Sequence, residues 1–129
     1  MMTTPTLLTT IRTLALVLAI LLASSGLPRL AAQTLPVVMT VGCVETGGRG
    51  GFTLIRATEP TAIEERVPDQ PPPDASLGNQ TLTLVGTLDE FGVPAHVGHK
   101  VWAKGLLNPG EPVPLLNLTS ITHLSPSCE

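Results

Sequence analysis

The sequence predicts a small all-β domain behind an export signal. Three observations predict the fold class. Several short runs between residues 35 and 124 alternate apolar and polar residues with the period of two that a strand requires. Clusters of Gly, Pro, Asn and Asp separate those runs as turns. No stretch beyond residue 33 carries a long amphipathic helical repeat, and strands without such helices make a sandwich or a barrel.

The export signal comes first in the chain. Residues 14–23, LALVLAILLA, form an uncharged apolar run behind Arg12 and a Thr-rich start, the layout of a secretory signal peptide. Such a run of ten residues spans about 15 Å as a helix, half of a hydrocarbon core, which disfavours a transmembrane segment. Ala31 and Ala32 put the cut near residue 32, with Ala23-Ser24-Ser25 as a second site and an uncleaved membrane anchor as the plain alternative. The expected organisation is a signal peptide over 1–32 and one domain over 33–129, periplasmic or extracellular and free of the membrane after cleavage. A lipid anchor is not expected, because Cys43 lies well past the apolar run and Thr40 stands where a lipobox wants Leu.

The domain of about 97 residues buries about two-thirds of its unfolded surface, so its core is limited. Arg49, Arg56, Arg66, Lys100 and Lys104 face ten acidic residues, a net charge near −5. A field of that sign steers neither nucleic acid nor anionic lipid towards the chain. Cys43 and Cys128 lie near the two ends of the domain, and an even pair in an oxidising compartment is more often bonded than free. A disulfide closing about 86 residues stabilises by roughly 4–5 kcal/mol in the chain-entropy model. Two buried, unpaired thiols are the alternative.

Residues 35–45 read as the first strand, apolar on both faces and bent at Gly42. Residues 46–51, TGGRGG, invite a phosphate-loop reading, but no Lys-Ser/Thr pair opens a helix after them; they form a hairpin loop with positive-φ positions. Residues 52–58 are the second strand. Residues 59–79 then carry five prolines and five acids, and read as a partly disordered surface insertion with a polyproline stretch at Pro71-Pro72-Pro73. The third strand is 80–88. Pro94 opens one helical turn within 89–96. The fourth strand runs from 99 to 107, and Asn108 to Pro112 is a turn by its chemistry. The fifth is 115–124, where one bulge near Thr119-Ser120 would bring Leu116, Leu118, Ile121 and Leu124 all to the core.

Five strands with a helical turn between the third and fourth, and a glycine-bent first strand, are the layout of an OB-fold barrel. The segments TVGCVETGGRGGFTL, LTLVGTL, AHVGHKVWAKGLL and LLNLTSITHLSPSC resemble small exported OB-fold-like proteins of bacteria whose function is unassigned. The resemblance spans residues 37–128 and is most specific at His96-Val97-Gly98-His99-Lys100-Val101, ending at Gly105. Ala103 stands where a larger apolar residue is usual, Trp102 where a polar one is commoner, and the 59–79 insertion is longer. The resemblance implies fold and export; it brings no activity and no cofactor.

Two groups of residues invite a site. Lys100, Trp102 and Lys104 share strand parity, so an indole flanked by two ammonium groups would form a stacking platform for a ligand. The competing reading packs Trp102 beneath the Pro-rich loop. His96 and His99 form H-x-x-H, with His123 a third imidazole. On a helix that spacing shares a metal, but Gly98 interrupts it, which favours histidines that cap a turn over a zinc or copper site. The serines lack a nucleophile elbow, and Cys43 lacks the basic neighbours of a reactive thiolate. The expectation is a monomeric, non-enzymatic binding module for a small molecule, glycan, peptide or protein. The alternatives are an envelope structural or stress protein acting through protein contacts, and metal binding through His96 and His99.

Overall fold

Alternation at a period of two yields strands throughout. The computed structural model describes Gly26 and residues Thr34–Glu129; the expected signal peptide, 1–32, therefore lies outside the described residues except at Gly26. Among the described residues six strands form, β1 (Val37–Thr46), β2 (Phe52–Ala57), β3 (Thr61–Ala62), β4 (Gln80–Val85), β5 (Lys100–Asn108) and β6 (Leu115–Ser125), with 3-10 turns at Gly48–Gly50 and Val93–His96. The all-β expectation holds. β1 pairs with β2, β2 with β4, β4 with β6, β6 with β5 and β5 with β1, so the hydrogen bonds close a ring. All these pairs are antiparallel except β4–β6, which is parallel.

The ring closes because β1 changes partner along its length. It pairs with β5 from Val37 to Cys43, then with β2 from Cys43 to Thr46. The bend falls at Gly42, where a Cβ would stand 2.7 Å from Leu54 Cγ. Leu54 thus occupies the space that the missing side chain leaves. The hairpin loop after β1 has the positive-φ positions its glycines predict, Arg49 at 60° and Gly50 at 75°.

Inside the ring, Val38, Val44, Leu54, Leu82, Val101 and Leu116 belong to one buried cluster, with Val93 of the second 3-10 turn packed among them. The bulge expected in the last strand is present. Lys104 pairs with Ser120 and Gly105 with Leu118, leaving Thr119 extra, and Ile121 then packs against the inner cluster. A second register shift follows, since Lys100 faces Ser125 while Val101 faces His123. Leu124 is the residue left over, and it joins Val41 and Trp102 outside the ring. One bulge does not bring Leu124 into the same core as Leu118.

The sixth strand departs from the expected five. Its two residues, Thr61 and Ala62, come from the Pro-rich segment and pair with Val38 and Met39, on the stretch of β1 that β2 does not reach. The segment is a strap, held to the ring rather than loose. Thr58 N donates to Val41 O (2.8 Å), Ile63 N to Val37 O (3.0 Å) and Gly78 N to Arg56 O (2.8 Å). Thr40 Oγ1 donates to Thr58 O (2.8 Å). These bonds explain why a run with five prolines stays ordered: the donors that remain are used against β1 and β2.

β1 and the stretch that follows β6 are joined by the disulfide that the cysteine pair predicts. Cys43 of β1 bonds Cys128, with Cα atoms 6.0 Å apart. Among the described residues no helix is long and apolar enough to cross a membrane.

Candidate functional site

β5 places Lys100, Trp102 and Lys104 on the outside of the ring, as strand parity dictates. It does not leave them open. Trp102 is 5 % exposed and faces Val41, with Leu124 alongside and Ala75 and Leu77 of the strap packed over the group. Lys104 Nζ lies 3.8 Å from the centre of the Trp102 ring, within cation–π range. Lys100 is 6 % exposed, and its Nζ donates to Pro73 O (3.1 Å) and Ala75 O (3.0 Å). A buried ammonium is tolerated only when its protons are used. Lys100 therefore fastens the strap, and the strap covers the indole. The face on which these three residues lie is thus covered in part by Ala75 and Leu77 of the strap.

The second group assembles at one end of the ring. His99 N donates to His96 O (2.9 Å), Val97 sits at φ −57°, ψ 127°, and Gly98 has φ 81°. These are the angles of a type II turn, which requires a residue tolerant of positive φ at its third position. The turn is fixed to β1, because Gly98 N donates to Val44 O (2.8 Å) and Val44 N to His99 O (3.2 Å). H-x-x-H thus meets through a turn instead of a helix, and Gly98 is what allows it. The rings of His96 and His99 are 6.2 Å apart. His123 arrives from β6, opposite inward-facing Val101, with its ring 5.9 Å from His96 and 5.1 Å from His99.

The electrostatics of this trio are unusual. Nδ1 of His96 and Nδ1 of His99 are buried without a hydrogen-bond partner. Burial first, then the nearby His123 and His99, hold the His96 imidazolium below the ordinary histidine range, favouring the neutral ring. Among the described residues, no three His, Cys, Asp or Glu side chains already stand in metal-binding geometry. The place of His123 in this group was hidden in the sequence by the first register shift of β6; counting on by two from inward-facing Ile121 is the signal that finds it.

A third region lies apart from the residues singled out in the sequence. The outer face of β2 and β4 carries Thr53, Thr83 and Ile55, with Glu45 of β1 and Leu115 of β6 beside them. At one end of these strands a cleft of about 430 Å³ lies between Gly50, Gly51 and Phe52 on one side and residues 86–90 on the other. Asp89 and Glu90 give that cleft a negative rim.

No family model, curated protein or solved structure matches this chain.

Proposed function

We propose that the chain is an exported, non-enzymatic binding module built on an OB-fold barrel, which takes an uncharged ligand, best a neutral oligosaccharide, on the outer face of β2 and β4. The observation that carries this reading is the order of the ring, β1-β2-β4-β6-β5, with its parallel β4–β6 pair and a 3-10 turn before β5. With the short β3 set aside as part of the strap, this order supports reading the five remaining strands as an OB barrel. OB barrels bind oligonucleotides and oligosaccharides on the face of their second and third strands and the loops beside it. Here those strands are β2 and β4. The strap covers the outer face of β1 and β5 over Val41 and Trp102, which leaves the half-buried β2–β4 face to a ligand. Glu45, Asp89 and Glu90 beside that face repel an anionic polymer and leave the neutral sugar as the better fit. Threonine hydroxyls at Thr53 and Thr83 supply hydrogen bonds suited to holding a ligand. The disulfide is in keeping with an oxidising compartment, and so with export.

The test is an amide NMR titration of the purified, oxidised chain with neutral oligosaccharides. Shifts centred on Phe52, Thr53 and Thr83, and lost in Thr83→Arg, are the expected result. Shifts confined to the strap, or a response only to peptides, would overturn the assignment of face or ligand. A second reading, attachment to a protein partner, is favoured by Val67, which stands 81 % exposed on the strap among Glu64, Glu65 and Arg66. Val67→Asp should then abolish the association while Thr83→Arg leaves it intact.

A further inference from the structure

We infer that His96, His99 and His123 form a three-imidazole site for a divalent transition metal of the zinc or copper class, closed by rotation of their side chains about a centre the rings already surround. The inference is independent of the β2–β4 face. Its geometry is carried by the three ring separations. A point equidistant from centroids 5.1, 5.9 and 6.2 Å apart lies about 3.3 Å from each. A zinc–imidazole bond of about 2.0–2.1 Å leaves the ring centre about 3.2 Å from the metal. The ring centres are thus spaced for one ion, and because the three side chains do not stand in metal-binding geometry as they are, they must rotate to bring their nitrogens to it.

The unpartnered nitrogens supply the second argument. A buried polar atom without a partner costs about 1–3 kcal/mol, and most such atoms in folded proteins are paired with protein, water or an ion. Nδ1 of His96 and Nδ1 of His99 are two such atoms in one cluster. A metal would relieve the cluster, since either ring can then divide its two nitrogens between the ion and a proton that water or a carbonyl accepts.

The scaffold is suited to hold such a site. His96 and His99 are fixed by the type II turn and its two bonds to Val44, and His123 by its place in β6 opposite Val101. The Cys43–Cys128 disulfide lies against the same turn, with Cys128 Sγ 3.5 Å from Gly98 O. Both cysteines are consumed there, so the donors are imidazoles, which suit zinc, copper and nickel over magnesium or calcium. His123 is exposed, giving the ion a way in and a position open to water.

The test uses the purified, oxidised full chain, stripped with chelator and titrated with zinc sulfate, with copper sulfate in parallel. Calorimetry should give one ion per chain, and the ring resonances of all three histidines should shift together. His123→Ala, a change at an exposed position, should weaken binding by at least the ~10–100-fold that outer-shell partners of metal ligands are worth. His96→Ala should do the same, with folding checked by the tryptophan emission. Binding that survives His123→Ala unchanged, shifts at one histidine alone, or no heat and no shift at millimolar metal would each overturn the site. Magnesium at the same concentrations should do nothing; a response to it would point to unspecific charge.

Discussion

Val41 and Trp102 face each other across the β1–β5 ladder on the outside of the ring, and Ala75 and Leu77 close over the pair. This small second core is the part of the molecule most readily followed in solution, because Trp102 is the sole indole of the chain. Its emission should be blue and resist iodide. Leu77→Ser should shift it to the red and open it to quenching, with the inner cluster intact by far-ultraviolet circular dichroism. A red, readily quenched emission in the unaltered chain would mean that the strap does not cover the indole.

Lys100 makes the strap's strongest bonds. Hydrogen bonds from charged donors contribute about 1.5–3 kcal/mol each, and the cost of desolvating the buried ammonium offsets part of the sum of the two. Lys100→Met keeps the stem and removes the ammonium, leaving Pro73 O and Ala75 O to water. The variant should lose about 2 kcal/mol in urea unfolding and show faster amide exchange at Ala75 and Gly78, while residues 82–84 exchange as before. Exchange that rises equally in both places would mean that Lys100 supports the whole ring rather than the strap.

The bend of β1 makes a sharper demand on size. A valine at position 42 would drive its side chain into Leu54, and overpacking of that kind costs about 1–3 kcal/mol. Gly42→Val should lower the melting temperature, and shortening the obstacle in Gly42→Val/Leu54→Ala should recover part of the loss. No recovery in the double variant would locate the conflict elsewhere.

Removing the disulfide should be the costliest of these changes. Cys43→Ser/Cys128→Ser, or reduction, should lose about 4–5 kcal/mol on the loop-closure estimate. Chemical denaturation with and without reductant measures this directly.

Protonation at the histidine end gives a pH dependence of definite sign. The His96 value is lowered on folding by burial and by His123 and His99, so the unfolded chain binds its proton first as the pH falls. The stability that neutral His96 contributes is complete above the unfolded value of 6.5 and is lost as the pH drops through the lower folded value. The metal-free chain should therefore lose stability below pH 6.5, and His96→Gln should flatten the slope. A slope unchanged in that variant would assign the loss to other groups.

Much of this architecture was legible in the sequence because it is written in short-range patterns. Alternation gave the ring strands, Gly42 the bend, the glycine-rich loop its hairpin, and the cysteine pair its bond. The misplacement of Leu124 arose from the second register shift of β6, which depends on how β5 presents Lys100 and Val101 and leaves no local mark. Trp102 and Lys100 looked like a binding surface because parity gives only the face of a strand. What covers that face was decided by residues 73–77, some twenty-five positions earlier, in a stretch whose prolines suggested looseness. His96 and His99 were visible as a pair; the type II turn that brings them together depends on Gly98 and on bonds to distant Val44.

The position of β6 as the last strand has a consequence for how the protein is made. β4 and β5 each wait for it, since it is the partner that links them across the ring. A nascent chain ending before residue 115 exposes two unpaired strand edges, which are templates for joining another chain. The same final stretch brings Cys128, so the covalent lock arrives with the closing strand and not before. A product lacking residues 115–128 is an open, unlocked sheet exposed to aggregation and proteolysis, and the segment from β6 to Cys128 is what separates that state from the closed fold.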